Sequence, residues 1–170
     1  MPSRRPSPAA VAYAGVDVGA TKIEVVITGT DFVAVAQARA PTPGRGGPAA
    51  VVKVVKSTID EALAGSPLQK LAAVGVGVPG QVDDATGVVA KSPNIRGWSA
   101  SYPLRDEIEK VFGVPAAVDN DVRAALLGEH RLGAVQPFGD VLAVWFGTGV
   151  GGALLLDGVI RRGRLGAAGE

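Results

Sequence analysis

The sequence predicts an α/β fold built on a sheet of mixed strand direction. Short apolar runs of the kind found in strands alternate with segments of helical spacing, and this alternation is typical of α/β domains. The order β-β-β-α-β-α-β-α occurs once, and a second β-β-β begins near residue 140. Of the 170 residues, 47% are hydrophobic and 19% charged, so the chain can form a packed core in one domain or two small lobes.

Three consecutive strands in hairpin order open the predicted domain. They are expected at Val11–Val18, Lys22–Gly29 and Phe32–Arg39, with short turns between them. A stretch rich in Pro and Gly separates them from a helix at Ala49–Ala64, whose apolar residues recur near one face.

The next segment alternates strands and helices. A buried strand at Leu71–Val78 ends at Pro79-Gly80, and a hairpin is expected at Gln81–Val89. The remaining predicted elements are an irregular loop at Lys91–Trp98, helices at Pro103–Phe112 and Asp121–Leu132, and strands at Pro115–Val118, Asp140–Phe146, Val150–Leu156 and Val159–Arg162.

Composition excludes several classes of function. The chain has no cysteine, so cysteine-ligated zinc, disulfides and thiolate catalysis are excluded within it, and a single histidine is a poor basis for a metal site or a catalytic triad. A net charge of +1 argues against a nucleic-acid partner, and Arg161, Arg162 and Arg164 are predicted to be solvated.

No membrane association is expected either. The most apolar window, residues 141–156, is 16 residues long and contains four glycines, which is too short for a membrane span. Residues 1–12 are predicted to form a disordered tail rather than a signal sequence. We therefore expect a soluble cytoplasmic protein, with Trp98 and Trp145 in its core.

The motif DVGATK, at residues 17–22, predicts a phosphate-binding turn. Gly19 permits a ligand to approach the backbone, and Thr21 and Lys22 add a hydroxyl and a positive charge. Asp17, at the end of a strand, is a candidate for holding a hydrated metal ion that bridges phosphates. The alternative is a tight hairpin with a solvated aspartate.

A second glycine-bearing turn, FGTGVGG, occupies residues 146–152. The backbone N–H groups around Gly147, Thr148 and Gly149 are predicted to form an anion-binding nest. A dinucleotide fingerprint is rejected because residues 153–162 are typical of two strands joined by an Asp-Gly turn, rather than of a helix.

Two further positions carry polar chemistry. The cluster DND at residues 119–121 stands at a strand-to-helix junction, where Asp121 is either a helix cap or a general base beside an orienting amide, Asn120. Gly80 is either a backbone turn against a ligand such as a sugar or the simple end of a strand. A candidate base between two phosphate turns favours a phosphoryl-transfer enzyme.

These motifs, taken together and in order, resemble the ROK family of sugar kinases and repressors, especially its bacterial glucokinases. The segments that carry the resemblance are DVGATKIEVVITG, GVGVPGQVD, SPNIRGW, DNDVRAALLGE, FGTGVGGALLLDG and GRLGAAGE, which span about Tyr13 to Glu170. The resemblance implies the actin-like, or ribonuclease H-like, ATPase fold, with an N-terminal lobe at residues 13–136 and the first strands of a second lobe at 137–170.

The resemblance also implies roles for individual residues. Asp121 would be the base that deprotonates the 6-hydroxyl of a hexose, with glucose favoured. The implied sugar-binding residues are Gly80, Asn94, Asn120, Asp121 and Glu170. The implied ATP- and phosphate-binding residues are Asp17, Gly19, Thr21, Lys22, Gly147, Thr148 and Gly149, with Mg²⁺ near Asp17 through water.

The sequence departs from the family pattern at two points. The family often has Asn two residues beyond the base, where this chain has Arg123. The chain also ends at Glu170, before the histidine of the family's G-x-x-G-E-I-G-H motif, the cysteine-rich zinc segment and much of the nucleotide pocket. It is therefore expected to be an N-terminal half that is inactive as a kinase alone, and a structural zinc is expected only beyond Glu170.

Two other functions remain open at the level of sequence. One is a ROK-type repressor that senses sugar, although only about a dozen residues precede the first strand, too few for a helix-turn-helix module. The other is a sugar-binding fragment without catalysis. Glucose, N-acetylglucosamine, N-acetylmannosamine and fructose all fit as substrates, ATP and polyphosphate both fit as donors, and the family suggests a dimer or a tetramer.

Overall fold

The structure is a computed structural model, which describes residues 11–147 and 149–169. The predicted tail lies mostly outside these residues, but Val11 and Ala12 already belong to the first strand, which corrects the predicted boundary at residue 13. The elements of the described chain are β1 (Val11–Val18), β2 (Lys22–Thr28), β3 (Ala34–Pro41), α1 (Gly47–Ala64), β4 (Lys70–Val78), β5 (Gln81–Asp83), β6 (Val88–Lys91), α2 (Leu104–Phe112), β7 (Ala116–Asn120), α3 (Asp121–Leu132), β8 (Val141–Phe146), β9 (Val150–Leu156) and β10 (Val159–Arg161).

The first sheet has five strands in the order β3-β2-β1-β4-β7. Strands β1, β2 and β3 are antiparallel neighbours, whereas β4 and β7 run parallel to β1, so the mixed direction predicted from the sequence is confirmed. Alternation along β1 buries every second residue, including Val16 and Val18, in the main core. Helix α1 supplies Val51, Val55 and Ile59 to that core.

Helix α3 packs on the opposite face of the first sheet. Val76 and Val78 of β4 point into the main core, and Gly77 between them faces the first turn of α3. The same helix contributes Leu126 to a second, smaller core, whose other buried members belong to a three-stranded sheet in the order β10-β9-β8. Helix α3 therefore joins the two sheets.

Three local predictions differ from the structure. Strand β3 begins at Ala34 rather than Phe32, because Phe32 has a φ of 58° and prolongs the preceding turn. The cap of α3 is Asn120 and not Asp121, because the Asn120 side chain accepts hydrogen bonds from Val122 and Arg123. Trp145 is not a core residue: 38% of it is exposed, since it lies on the outer strand β8.

Trp98 lies in the core as predicted. It is buried beside Tyr102, with the two rings edge to face and their centroids 5.8 Å apart. Among the residues that the structure covers, no helix combines the length and the apolar character that a membrane crossing requires.

Candidate active site

A cleft of about 630 Å³ lies between the two sheets, against the first turn of α3. Strands β1, β4 and β7 are parallel, so their carboxyl ends meet at one edge of the sheet, which is where α/β sheets bind ligands. Every predicted site residue within the described ranges lines this cleft: Asp17, Gly19, Thr21, Lys22, Gly80, Asn94, Asn120, Asp121, Gly147 and Gly149. Thr148 and Glu170 lie outside the described residues.

The first glycine turn joins β1 to β2. The Gly19 N–H donates to the Lys22 carbonyl at 2.9 Å. The hydroxyl of Thr42, the residue after β3, donates to the Gly19 carbonyl at 2.7 Å and so connects the turn to the end of β3. The Lys22 ammonium lies 2.8 Å from a carboxylate oxygen of Glu24. An anion at this turn therefore meets a lysine that already has an exposed carboxylate partner.

The second glycine turn joins β8 to β9. The Gly147 N–H donates to the Gly149 carbonyl at 2.9 Å, so this N–H closes the turn and is not directed at a ligand. Gly151, just beyond, faces Val122 of α3, whose side chain would lie 2.6 Å from a Cβ at that position. Glycine at 151 thus lets the second turn approach the helix that begins with Asp121.

The junction between β7 and α3 places Asp121 in the first helical turn. Asn120, which is 2% exposed, accepts from the N–H groups of Val122 and Arg123 at 3.0 and 3.2 Å. Its amide nitrogen donates to the Gly80 carbonyl at 3.3 Å. The cap therefore also ties the turn after β4 to the start of α3, which holds Gly80 beside Asp121.

Two carboxyl groups of the cleft have raised pKa values. Burial is the main reason that the pKa of Asp121 lies above its ordinary value, and backbone hydrogen bonds and Arg123 oppose it. Burial also raises the pKa of Asp17, and the negative charges of Asp121 and Glu24 raise it further. A group whose pKa is raised in this way accepts a proton more readily than an ordinary aspartate.

A hydrated magnesium ion fits this donor set. Among the described residues, no group of three or more His, Cys, Asp or Glu side chains converges to hold a metal. Mg²⁺, however, usually keeps several waters and takes only one or two protein carboxylates together with substrate phosphates. Asp17 lies beside the first turn and would hold such an ion, which would offset the negative charges of Asp121 and Glu24 around it.

Two further turns also line the cleft. Gly80 has a φ of 109°, and a Cβ there would collide with the Lys91 carbonyl, so the turn after β4 requires glycine for its own geometry. Asn94 is exposed at the cleft on a loop that is anchored by the buried residues Ile95 and Trp98. Gly80 therefore ends the strand, and its turn also lines the cleft, while its contact with a ligand stays a prediction.

Some residues near the site were not predicted. Trp145 and Phe146 line the cleft, and Phe146 is 81% exposed. Arg123 is buried and paired with Asp119 across the junction of β7 and α3, so the helical i, i+4 rule does not predict this pair. The prediction that Arg162 is solvated is wrong, because its guanidinium lies 2.8 Å from Asp119.

The chain is similar to known proteins over nearly its whole length. A family model described as ROK family matches residues 13–170. A glucokinase of Streptomyces coelicolor is 33% identical over 156 residues, which are 92% of this chain and 47% of that protein. A putative xylose repressor of a Caldicellulosiruptor species is 36% identical over 114 residues, which are 66% of this chain and 28% of that protein.

A solved structure shares the fold. The ROK family glucokinase from Streptomyces griseus, in complex with glucose and AMPPNP, superposes with a TM-score of 0.83 at 35% identity, over 94% of this chain and 49% of that one. The fold and the cleft thus define a protein of the actin-like ATPase class. The chain belongs to the ROK family, and it spans about half the length of the curated relatives that it matches.

Proposed function

We propose that this chain is part of an ATP-dependent hexose kinase that phosphorylates the 6-hydroxyl of its sugar, with glucose as the favoured substrate. The observation that carries the proposal is the cleft itself, in which Asp121 stands between the two glycine turns. The similarity to glucokinases, one of them bound to glucose and AMPPNP, supports the same assignment.

In this proposal Asp121 acts as the general base. Its carboxylate takes the proton of the sugar 6-hydroxyl as that oxygen attacks the terminal phosphorus of ATP in line. The bond from phosphorus to the bridging oxygen breaks, which yields the sugar 6-phosphate and ADP. The raised pKa of Asp121 suits this role, since it makes the carboxylate a stronger base.

Each wall of the cleft has its own role in the proposal. Gly80, Asn94 and Asn120 bind sugar hydroxyls on one side, together with Glu170. Gly19, Thr21 and Lys22 of the first turn and Thr148 and Gly149 of the second bind the phosphates of ATP, while the Gly147 N–H closes the second turn. A hydrated Mg²⁺ held by Asp17 would supply positive charge that offsets the charge of the transferring phosphoryl group.

A coupled phosphorylation assay tests the proposal. It compares this 170-residue chain with the product of the complete reading frame, using Mg-ATP or polyphosphate with glucose, N-acetylglucosamine, N-acetylmannosamine and fructose. We expect turnover of one sugar by the longer protein, and a loss of about 10²–10⁴-fold in kcat for Asp121→Asn, which is the usual contribution of a general base. We expect the 170-residue chain alone to be inactive.

A sugar-sensing repressor is the second candidate, and the similarity to a putative xylose repressor favours it. Sugar binding by the longer protein, without turnover above that of Asp121→Asn, would replace the kinase with this sensor. Sugar binding by the 170-residue chain, with no activity in any longer form, would leave a non-catalytic binding module.

A further inference from the structure

We propose that Arg123 is a positioning residue of the hexose site: it fixes the segment 163–169 against the start of α3 and thereby sets the affinity for sugar. This inference rests on the proposed function for the identity of the ligand, and on the contacts of the described residues for the positioning itself.

Arg123 is a buried residue in the first turn of α3. It is 1% exposed, its Nε lies 2.7 Å from a carboxylate oxygen of Asp119, and its Nη1 donates to the Gly166 carbonyl at 2.7 Å. Asp121 and Arg123 are two residues apart on the helix, so their side chains leave it in different directions. Asp121 lines the cleft, and Arg123 contacts the segment beyond β10.

The segment 163–169 is attached at several other points. The Gln81 amide donates to the Leu165 carbonyl, and the Gly152 N–H donates to the Gly169 carbonyl at 2.9 Å. Gly166 has a φ of 67°, and a Cβ there would collide with the Val82 carbonyl. In the proposed function, Glu170, the next residue in the sequence, binds sugar hydroxyls, which links the segment to the affinity for sugar.

Asp119 extends the contact to the second sheet. Its other carboxylate oxygen accepts from Arg162, just after β10, at 2.8 Å, and Arg162 also lies 3.4 Å from Asp84. One carboxylate thus binds two guanidinium groups, one from α3 and one from the end of the second sheet.

Removing the Arg123 guanidinium would release the Gly166 carbonyl and leave Asp119 with Arg162 and the Asn120 N–H. A buried carbonyl that loses its charged donor must find another partner or move toward water. The segment 163–169 would then shift relative to Asp121, and small displacements of substrate-binding groups reduce binding and rate strongly. Since Arg123 is not among the residues that line the cleft, we expect the main effect on sugar affinity.

The test uses the product of the complete reading frame with Arg123→Met, Arg123→Lys and Arg162→Gln. It is carried out in the pH range where the rate no longer increases with pH. The readouts are the dissociation constant for glucose, kcat, and amide hydrogen exchange of residues 163–169. For Arg123→Met we expect roughly tenfold to hundredfold weaker binding, the range for a lost hydrogen bond to a charged group. Exchange of the segment should rise, and kcat should change much less.

The variants separate positioning from general destabilisation. Arg123→Lys keeps the charge and should recover part of the affinity, and Arg162→Gln should give a smaller loss in a variant that folds readily, since Arg162 is only partly buried. Arg161→Gln is the matched control, because its ion pair with Asp157 is exposed and does not reach α3. It should leave affinity and exchange unchanged.

Two outcomes would overturn the proposal. One is unchanged exchange of residues 163–169 in both Arg123→Met and Arg162→Gln, and the other is a loss confined to kcat. If the wild-type protein binds no hexose, the proposed function fails while the exchange measurement still decides whether Arg123 fixes the segment.

Discussion

At the scale of the residue, the cleft holds two carboxyl groups whose environments act on them differently. Burial alone raises the pKa of Asp121, whereas Asp17 feels burial and also the negative charge of Asp121. The two groups are therefore suited to different tasks. Asp121 is placed to exchange a proton, and Asp17 gains most from a cation that offsets its neighbours.

The raised pKa of Asp121 predicts the pH dependence of the reaction. A base must be ionised to accept a proton, so kcat/KM should rise with pH through the pKa of Asp121, and this acid limb should lie above the ordinary range of an aspartate. Initial rates with glucose, measured from acidic to neutral pH, check the prediction. Asp17→Asn should lower the rate while an acid limb remains, and a wild-type limb at the ordinary carboxyl pKa would contradict our account.

The same shift has a consequence for stability. Because the folded state holds the Asp121 proton more tightly than the unfolded chain, this group favours folding below its unfolded pKa. That contribution is lost as pH rises through the raised pKa. Relative to Asp121→Asn, the wild-type protein should therefore become less stable as pH increases through this window.

At the scale of the element, helix α3 makes the site by connecting structures that are distant in sequence. Its cap, Asn120, bonds two of its first N–H groups and the Gly80 carbonyl. Its second residue, Val122, packs on Gly151 of β9, and its third, Arg123, reaches Gly166. Small changes in where this helix begins would therefore alter both walls of the cleft.

The cap gives a prediction about stability. Asn120→Ala should lower the free energy of unfolding by about 0.5–2 kcal/mol, because the Arg123 N–H loses its acceptor and the Val122 N–H keeps only the Asp121 carboxylate. Asn120→Ser keeps an acceptor at the cap without the amide that contacts Gly80, so it should recover most of that loss. Urea unfolding of the three proteins measures the difference. Equal stability of Asn120→Ala and the wild type would show that the cap contributes nothing.

At the scale of the whole molecule, the two cores are unequal in size, and α3 contributes Leu126 to the smaller one. The main core contains most of the buried side chains of the first sheet, whereas the second has five buried residues, Leu126, Ala143, Ala153, Leu155 and Ile160. A region with few buried apolar contacts opens more easily than the rest of a protein. The second sheet should therefore be the less stable part.

Native-state hydrogen exchange can test this difference. Amides of β8, β9 and β10 should exchange with a lower opening free energy than those of β1, β2 and β4. Leu155→Ala, at a fully buried position, should lower the opening free energy of the second sheet by about 2–5 kcal/mol. Where the wild-type opening free energy is smaller than this, the protection of the sheet should be lost. Leu142→Ala, at a 72% exposed position, should change it by less than about 0.5 kcal/mol. A uniform opening free energy in both sheets would refute the division.

Local patterns predicted most of this molecule, and long-range contacts explain the rest. The hairpins, helices and glycine turns follow from apolar spacing and turn residues, so their predicted bounds differ from the structure by a few residues. The convergence of Asp17, Asn94 and Asp121 followed from the family resemblance. The exposure of Trp145 and the pairing of Arg162 with Asp119 depend on which elements become neighbours, and the spacing along the chain does not contain that information.

In the ion pair between Lys22 and Glu24, the Glu24 carboxylate competes with any dissolved anion for the Lys22 ammonium. The two side chains stand 2.8 Å apart and are both well exposed, so the pair can open and re-form in solvent. A carboxylate tethered two residues away acts at a local concentration in roughly the millimolar range, which a dissolved anion must exceed to capture the lysine. A dilute monovalent ion does not reach this concentration at Lys22. A chain of linked phosphates that is also bound elsewhere in the cleft would be tethered too, and would therefore reach a comparable local concentration. If the turn binds phosphates as proposed, it would therefore discriminate among anions by their valence and by their number of attachment points.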